Sequence, residues 1–408
     1  GEDDSARASF LQLVGLDDNN SMAYSYLAGD YRRFRNLDSL IWAYQNLTRI
    51  RPDNYRLLGE LAKLQAQKGN VEVAKQSFRK SIEANSSLHN TLAFTGLGEL
   101  YQLTGDLDSA MTVFKQGLLA DPNSVLLNRI VVSQYWQSDS LAKALPYALR
   151  LAKLSPLDRA ESRRVGIIYY GLDSLDLADS VLQAIVESGE NNWVNHFYLG
   201  RIALRRDSLK TALFHFSRVT QQADTLAQSW LDLGRVYRLM KRPQAEIDSY
   251  KTGLDRIRST EAGVPLMFAL GAAYEQNNQF DRAKTAFEET IALAPDHSQA
   301  LNYLGYMLAD RGVQLHYARE LIEKAIAQSP NNAAFLDSYG WVFYRLGDYD
   351  QALTFLSRAA ALDIDPVILD HLGDTHAALG EMEEARKWWS KALNLTPDNP
   401  EIKEKLEH

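Results

Sequence analysis

Apolar residues recur along this chain at i, i+3, i+4 and i+7, in stretches of roughly a dozen residues parted by short breaks. That spacing gives an α-helix one apolar face. The breaks carry Gly, Asn or Asp, as at Thr104-Gly105-Asp106 and Leu346-Gly347-Asp348, and predict tight turns between paired helices. The pairs repeat. Residues 91–124 carry Leu97-Gly98, Tyr101, Gly105, Ala110, Phe114 and Pro122. A step of 34 residues recovers Tyr135, Ala144, Leu151 and Pro156. Further steps recover Gly166, Tyr169 and Ala178, then Leu199-Gly200, Ala212 and Phe216.

The pattern extends both ways. Upstream units begin at Ser21 and Tyr55, and downstream units at Ala227, Val264, Ser298, Ala333 and Pro366. That makes eleven full units. Before Ser21, Ala6, Phe10 and Leu13 are in register with the second helix of a further unit, and residues 400–405 begin another helix. The predicted division is a partial repeat over 1–20, N-terminal and central units over 21–260, C-terminal units over 261–399, and the start of a capping helix over 400–408. Leu406-Glu407-His408 reads as the start of a vector tag, and Gly1 as a cleavage scar. Glu246 stands where other units place a small residue, and three inserted residues precede Val264, so a change of superhelical pitch is expected over 240–264. One extra residue falls within 313–317.

Each repeated residue has a physical task. Gly at the eighth position and Ala at the twentieth let two helix backbones approach. Large residues at positions 11 and 24 fill the remaining space, and Pro near position 32 ends the second helix. One pair cannot bury its apolar face alone, so the units must stack. This skeleton resembles the tetratricopeptide repeat (TPR) family over nearly the whole chain. The resemblance implies an all-α, right-handed superhelical solenoid that binds proteins and is not an enzyme. Near the C-terminus, Leu301-Asn302-Tyr303-Leu304-Gly305-Tyr306, Asp337-Ser338-Tyr339-Gly340-Trp341 and Asp370-His371-Leu372-Gly373-Asp374 are similar to a widespread group of bacterial members, several of them envelope proteins. That likeness implies a periplasmic or outer-membrane-associated bacterial protein, with a cytoplasmic one as the alternative.

The net charge of −8 over 408 residues, without a basic block, argues against general nucleic-acid binding. No apolar run approaches a membrane span. The absence of Cys excludes disulfides and thiolate chemistry. Phosphate-cradling, metalloprotease and nucleophile-elbow motifs are all missing, and no cofactor is expected. The eight His are scattered: His89, His196, His215, His297, His316, His371, His376 and His408. The densest polar cluster, Asp370, His371, Asp374 and His376, reads as a solvated acidic helix face beside a buried His376, because His371 and His376 point away from the face that Asp370 and Asp374 share. The Asp-Ser-Leu runs at Asp38, Asp139, Asp173 and Asp207 read as caps of second helices.

The resemblance further implies that positions 2, 5, 9, 12 and 13 of the first helices line a concave surface. In the middle units these give Arg129, Trp136, Arg163, Tyr170, Phe197, Arg201, Arg205, Arg235 and Arg238. Residues 125–241 hold 15 Lys and Arg against 11 Asp and Glu, in a chain that is acidic overall. An Arg wall with interleaved aromatics suits an extended acidic peptide; the same Arg also suit pairing with Asp on adjacent helices. A second patch comprises Asn302, Tyr306, Asp337, Trp341, Tyr344, Arg345, Asp370 and Asp374, an aromatic floor with carboxylates that suits a second partner or an absent C-terminal segment. The Lys/Asn clamp of chaperone-binding members is missing. The expected function is a protein-interaction scaffold in a bacterial envelope assembly. The alternatives are a regulatory arm of an enzyme, a binder of an anionic polymer, and self-association through the repeat ends.

Overall fold

The computed structural model describes residues 2–87, 90–257 and 260–407. Gly1, His89 and His408 therefore lie outside the described residues. Helix α1 (Glu2–Leu16) is followed by eleven pairs: α2 (Ser21–Arg33) and α3 (Leu37–Ile50), α4 (Tyr55–Gln67) and α5 (Val71–Ala84), α6 (Thr91–Leu103) and α7 (Leu107–Ala120), α8 (Val125–Gln137) and α9 (Leu141–Leu154), α10 (Arg159–Gly171) and α11 (Leu175–Glu187), α12 (Trp193–Arg205) and α13 (Leu209–Gln222), α14 (Ala227–Leu239) and α15 (Pro243–Ile257), α16 (Thr260–Gln276) and α17 (Phe280–Leu293), α18 (Ser298–Asp310) and α19 (Leu315–Gln328), α20 (Ala333–Leu346) and α21 (Tyr349–Leu362), and α22 (Pro366–Ala378) and α23 (Met382–Leu395). Helix α24 (Pro400–Glu407) follows.

The period in the sequence sets these boundaries. Ten of the eleven first helices start where a unit was expected to start. The exception is α16, which begins at Thr260 instead of Val264, so that Pro265 lies inside it. Of the joint expected over 240–264, residues 258 and 259 lie outside the described residues. The extra residue within 313–317 lengthens the turn before α19, where Gly312 and Gln314 both take positive φ.

The chain forms two compact units, one ending at Asn191 and the other starting at Asn192. In the first, helix pairs stack in chain order around successive clusters such as Leu27, Ile41 and Leu47, then Phe78, Phe94 and Leu97. In the second, one continuous cluster runs from Ala203 through Phe216, Tyr250, Phe287 and Leu304 to Val342. Within a pair, the glycine at position 8 lies under the large residue at position 24. A Cβ on Gly200 would stand 2.9 Å from Phe216, and one on Gly271 2.8 Å from Phe287, closer than carbon atoms pack.

Two local expectations are corrected. The N-cap position of these second helices falls to Ser140, Ser174 and Ser208, without a side-chain cap hydrogen bond, while Asp139, Asp173 and Asp207 take φ of 50°, 58° and 52° in the turn, where other pairs place Gly69, Gly105 and Gly380. Asp is among the few non-glycine residues that tolerate this left-handed conformation. Asp38 sits in the first turn of α3, whose side-chain cap is Asn36. In α1 the inward face carries Phe10 and Val14, one turn apart, with Phe10 stacked on Tyr26 at 3.9 Å. Leu13, one residue round the helix, stays exposed.

Candidate functional site

First helices of successive pairs stack on one another: α4 on α6 in the first unit, and α14 on α16, α18 on α20 and α20 on α22 in the second. Because helix positions three or four apart share a face, the side chains at positions 5, 9 and 12 form a wall along each stack. Of the predicted site residues, those of α14, α18, α20 and α22 stand on these stacks, and those of α8, α10 and α12 hold the corresponding positions of their own helices.

In the first unit, Arg129 donates from Nε to Oε1 of Glu161 at 2.9 Å, and Arg164 donates to Oε2 at 2.7 Å. Glu161 is only 2% exposed, so its carboxylate is held by two guanidinium groups of its own chain. Arg163 pairs with Glu190, and burial works against its charge. Tyr170 is half-buried, and Trp136 is exposed.

In the second unit, Arg201 lies over the Phe197 ring at 4.6 Å and faces Asp232 at 3.6 Å. Burial raises the Asp232 pKa despite that Arg. Arg238 stands 3.9 Å from Glu246, which fills the position where neighbouring units carry Ala. Burial raises its pKa too, while Arg238 and the Tyr250 hydroxyl, which donates to it at 3.3 Å, pull the other way. Arg205 and Arg235 are exposed. Four of the predicted Arg thus face carboxylates of this chain.

The C-terminal patch converges more closely. Trp341 stacks on Tyr344, at 4.6 Å, and on His371, at 4.1 Å, both rings nearly parallel to its own. His371 donates from Nδ1 to Asp337 at 2.9 Å. Arg345 donates to the carbonyl of Asp310 and lies 5.9 Å over the Trp341 ring. Lys405 of α24 donates to Asp370 at 2.8 Å and to Asp374 at 2.9 Å, and Trp389 Nε1–H donates to Asp374 at 3.0 Å. The acidic face of α22 is therefore covered rather than solvated, because α24 lies over it. His371, not His376, is the more buried imidazole; His376 bonds Glu381 at 2.6 Å near the surface. Asn302 is buried on the same wall, with no hydrogen-bond partner at Oδ1.

Family profiles described as tetratricopeptide repeat match residues 55–88 and 93–124, and 268–312 and 315–366. A further one, described as TPR repeat, matches residues 373–406. The matched segments fall on the helix pairs of both units. The chain is a tetratricopeptide repeat protein. It is 30% identical over 215 residues to a TPR repeat-containing protein of Pseudomonas aeruginosa, covering 44% of this chain and 36% of that one. It is 24% identical over 320 residues to anaphase-promoting complex subunit 7 of Mus musculus, covering 78% of this chain and 50% of that one. The chain thus spans between a third and a half of the length of these curated relatives. Among solved structures, the APC/C hetero-tetramer Cut9–Hcn1 aligns with a TM-score of 0.46 at 14% identity, over 95% of this chain and 96% of that one.

Within this tetratricopeptide array, the sequence reading missed the sixth position of the first helices. Glu60 takes an ion pair from Arg32 of the preceding unit at 3.2 Å. Asp232, His371 and Lys405 hold the same position and face Arg201, Asp337, and Asp370 with Asp374. The signal was present: a charge at position 6 facing an opposite or hydrogen-bonding group at position 5, 9 or 12 one repeat earlier. It was lost because pairing of the Arg with Asp on adjacent helices was considered without fixing the positions at which it occurs.

Proposed function

We propose that this chain is a non-enzymatic scaffold that holds segments of partner proteins against the walls of its first helices, in a bacterial envelope assembly. One observation carries this reading. The wall of α22 already receives a polypeptide segment, α24, through one cation on two carboxylates and one buried apolar anchor, Ile402. Cation and apolar anchor together are the elements by which helical segments dock in grooves. Two further facts support it. A relative is named as a subunit of a multiprotein complex, and the bacterial relative is a TPR protein as well. Because the Arg at positions 129, 163, 201 and 238 face carboxylates of the same chain, an acidic partner would meet less competition at exposed Arg235, whose charge also acts on Asp232, than at those four.

The test is affinity capture from the source bacterium with wild type and a Trp136→Ala, Arg235→Glu variant, both shown by circular dichroism to be equally helical. A protein held by wild type and lost by the variant supports the wall as a partner site. Equal capture of every protein overturns it for these two residues. Cell fractionation that leaves the chain in the cytosol overturns the envelope part of the reading.

A further inference from the structure

A cavity of about 420 Å³ opens among α18, α20, α22 and α24, lined by Tyr306, Trp341, His371, Asp310, Asp370 and Asp374. Its chemistry is one-sided. Asp310 binds Arg345 through its backbone carbonyl, which leaves its carboxylate out of that contact. Asp370 and Asp374 share a single ammonium, that of Lys405. The Tyr306 hydroxyl titrates well above its usual range, through burial first and then through the charges of Asp310, Asp337, Glu275 and Asp370. The cavity is therefore a site of negative potential walled by stacked rings, and rings and carboxylates together attract cations.

A second feature is independent of charge. Trp341 is only 8% exposed, and its indole Nε1–H is buried without a hydrogen-bond partner. A buried donor left unpaired costs free energy that an incoming acceptor recovers. A bare metal ion would not provide that acceptor. A peptide would, because each basic side chain is carried on a backbone with carbonyl oxygens.

We propose that this cavity recognises a basic residue of a partner protein, its cation among Asp310, Asp370 and Asp374 and against the Trp341–His371 stack, with a neighbouring backbone carbonyl accepting from Trp341 Nε1–H. Lys405 is then the internal stand-in: a lysine of the chain itself, presented on a helix, holding two of the three carboxylates until a partner displaces it. This inference rests on the reading of the first-helix wall as a partner surface, and it supplies the chemistry of one ligand group there.

The test uses the whole chain, labelled with ¹⁵N, and three capped tripeptides: Ala-Arg-Ala, Ala-Glu-Ala and Ala-Ala-Ala. The Trp341 indole resonance is identified by its loss in Trp341→Phe. The Arg peptide should move that resonance saturably while the other two leave it in place. Asp310→Asn, which leaves the Lys405 contacts untouched, should weaken the Arg peptide about fivefold, the scale of one cation contact at a half-desolvated site. Lys405→Ala, read under conditions where exchange of the α24 amides shows that helix still docked, should tighten it by about the same factor, since it removes the competitor. An unmoved Trp341 resonance, equal response to the Glu peptide, or an unchanged affinity in Asp310→Asn overturns the proposal. Weaker binding by Lys405→Ala overturns it too, because Lys405 would then belong to the site. The outcome is distinct from that of partner capture, which turns on Trp136 and Arg235.

Discussion

Val132 and Ala148 invert the size relation that joins Gly98 to Phe114. Both pairs hold positions 8 and 24 of their units, and all four residues are buried. A Cβ on Gly98 would drive into the Phe114 ring; in the next unit Val132 fills that space and the facing residue shrinks to Ala148. What the repeat keeps is summed volume. Ala148→Phe alone should therefore overpack this pair and lower stability by about 1–3 kcal/mol. Adding Val132→Gly should recover part of that loss, giving a favourable coupling of roughly 1 kcal/mol or more in a double-mutant cycle. Urea unfolding of the four chains measures it, and additive effects would refute the compensation.

The Arg of the first-unit wall differ from Arg235 in what their removal costs. Arg129→Ala strips the buried Glu161 of one of its two guanidinium partners. Leaving a buried carboxylate under-paired should cost on the order of 1–3 kcal/mol. Arg235 is exposed, and its replacement by Ala should change stability by no more than about 0.5 kcal/mol. Thermal unfolding of the two variants checks the contrast. Loss of a partner in Arg129→Ala would accordingly report on folding before it reported on contact.

Glu246 makes the second unit sensitive to pH in a defined direction. Its pKa in the folded chain is raised above 4.5 by burial, against the pull of Arg238 and Tyr250. Below pH 4.5 it is protonated whether folded or not and carries no penalty. As pH rises through 4.5 toward the raised value, the unfolded chain loses its proton first, so stability falls and then levels off. Glu246→Gln keeps an acceptor for the Tyr250 hydroxyl but cannot titrate. Its advantage over wild type should be absent at low pH and grow as pH rises through the carboxylate range. Melting temperatures of both chains across that range decide it, and a constant difference would refute the assignment.

The fold was legible because its signal is repeated and local. The glycines over which Phe216 and Phe287 pack both hold position 8 of their units, and the recurring skeleton, read through its insertions, fixed ten of eleven first-helix starts. The start of α16 was missed because the repeat register, with Gly271 at position 8, puts the first residue of the unit at Val264, while the helix in fact extends a turn before it. The site was legible as positions, and pairing of its Arg with Asp of adjacent helices as one alternative, but the particular partners were not. Arg129, Arg201 and Asp337 were named from their own helices; Glu161, Asp232 and His371, which answer them, lie one repeat away. Likewise Asp139, Asp173 and Asp207 have the composition of caps, and only backbone geometry shows that they serve as substitutes for glycine.

Lys405 also sets how firmly α24 is held. Its side chain and those of Asp370 and Asp374 are mostly shielded from water, and Asp374 in addition accepts from Trp389. Burial raises the Asp374 pKa, with Asp370 adding to the rise, and Lys405 opposes both. Replacing Lys405 by Met keeps most of the aliphatic stem but leaves two neighbouring carboxylates facing each other without a cation. The docked state of α24 should then lose about 1–2 kcal/mol, less than a fully buried pair would because the ammonium is still partly solvated. Hydrogen exchange of the α24 amides should quicken by roughly five- to thirtyfold on that scale, while the amides of α20 and α21 keep their protection. Restoring the partnership from the other side, with Asp370→Asn and Asp374→Asn in the Lys405→Met background, should return part of the lost protection, because the repulsion goes with the charges. Exchange in α24 that is unaffected by Lys405→Met would show that Ile402 and its apolar neighbours hold the helix unaided.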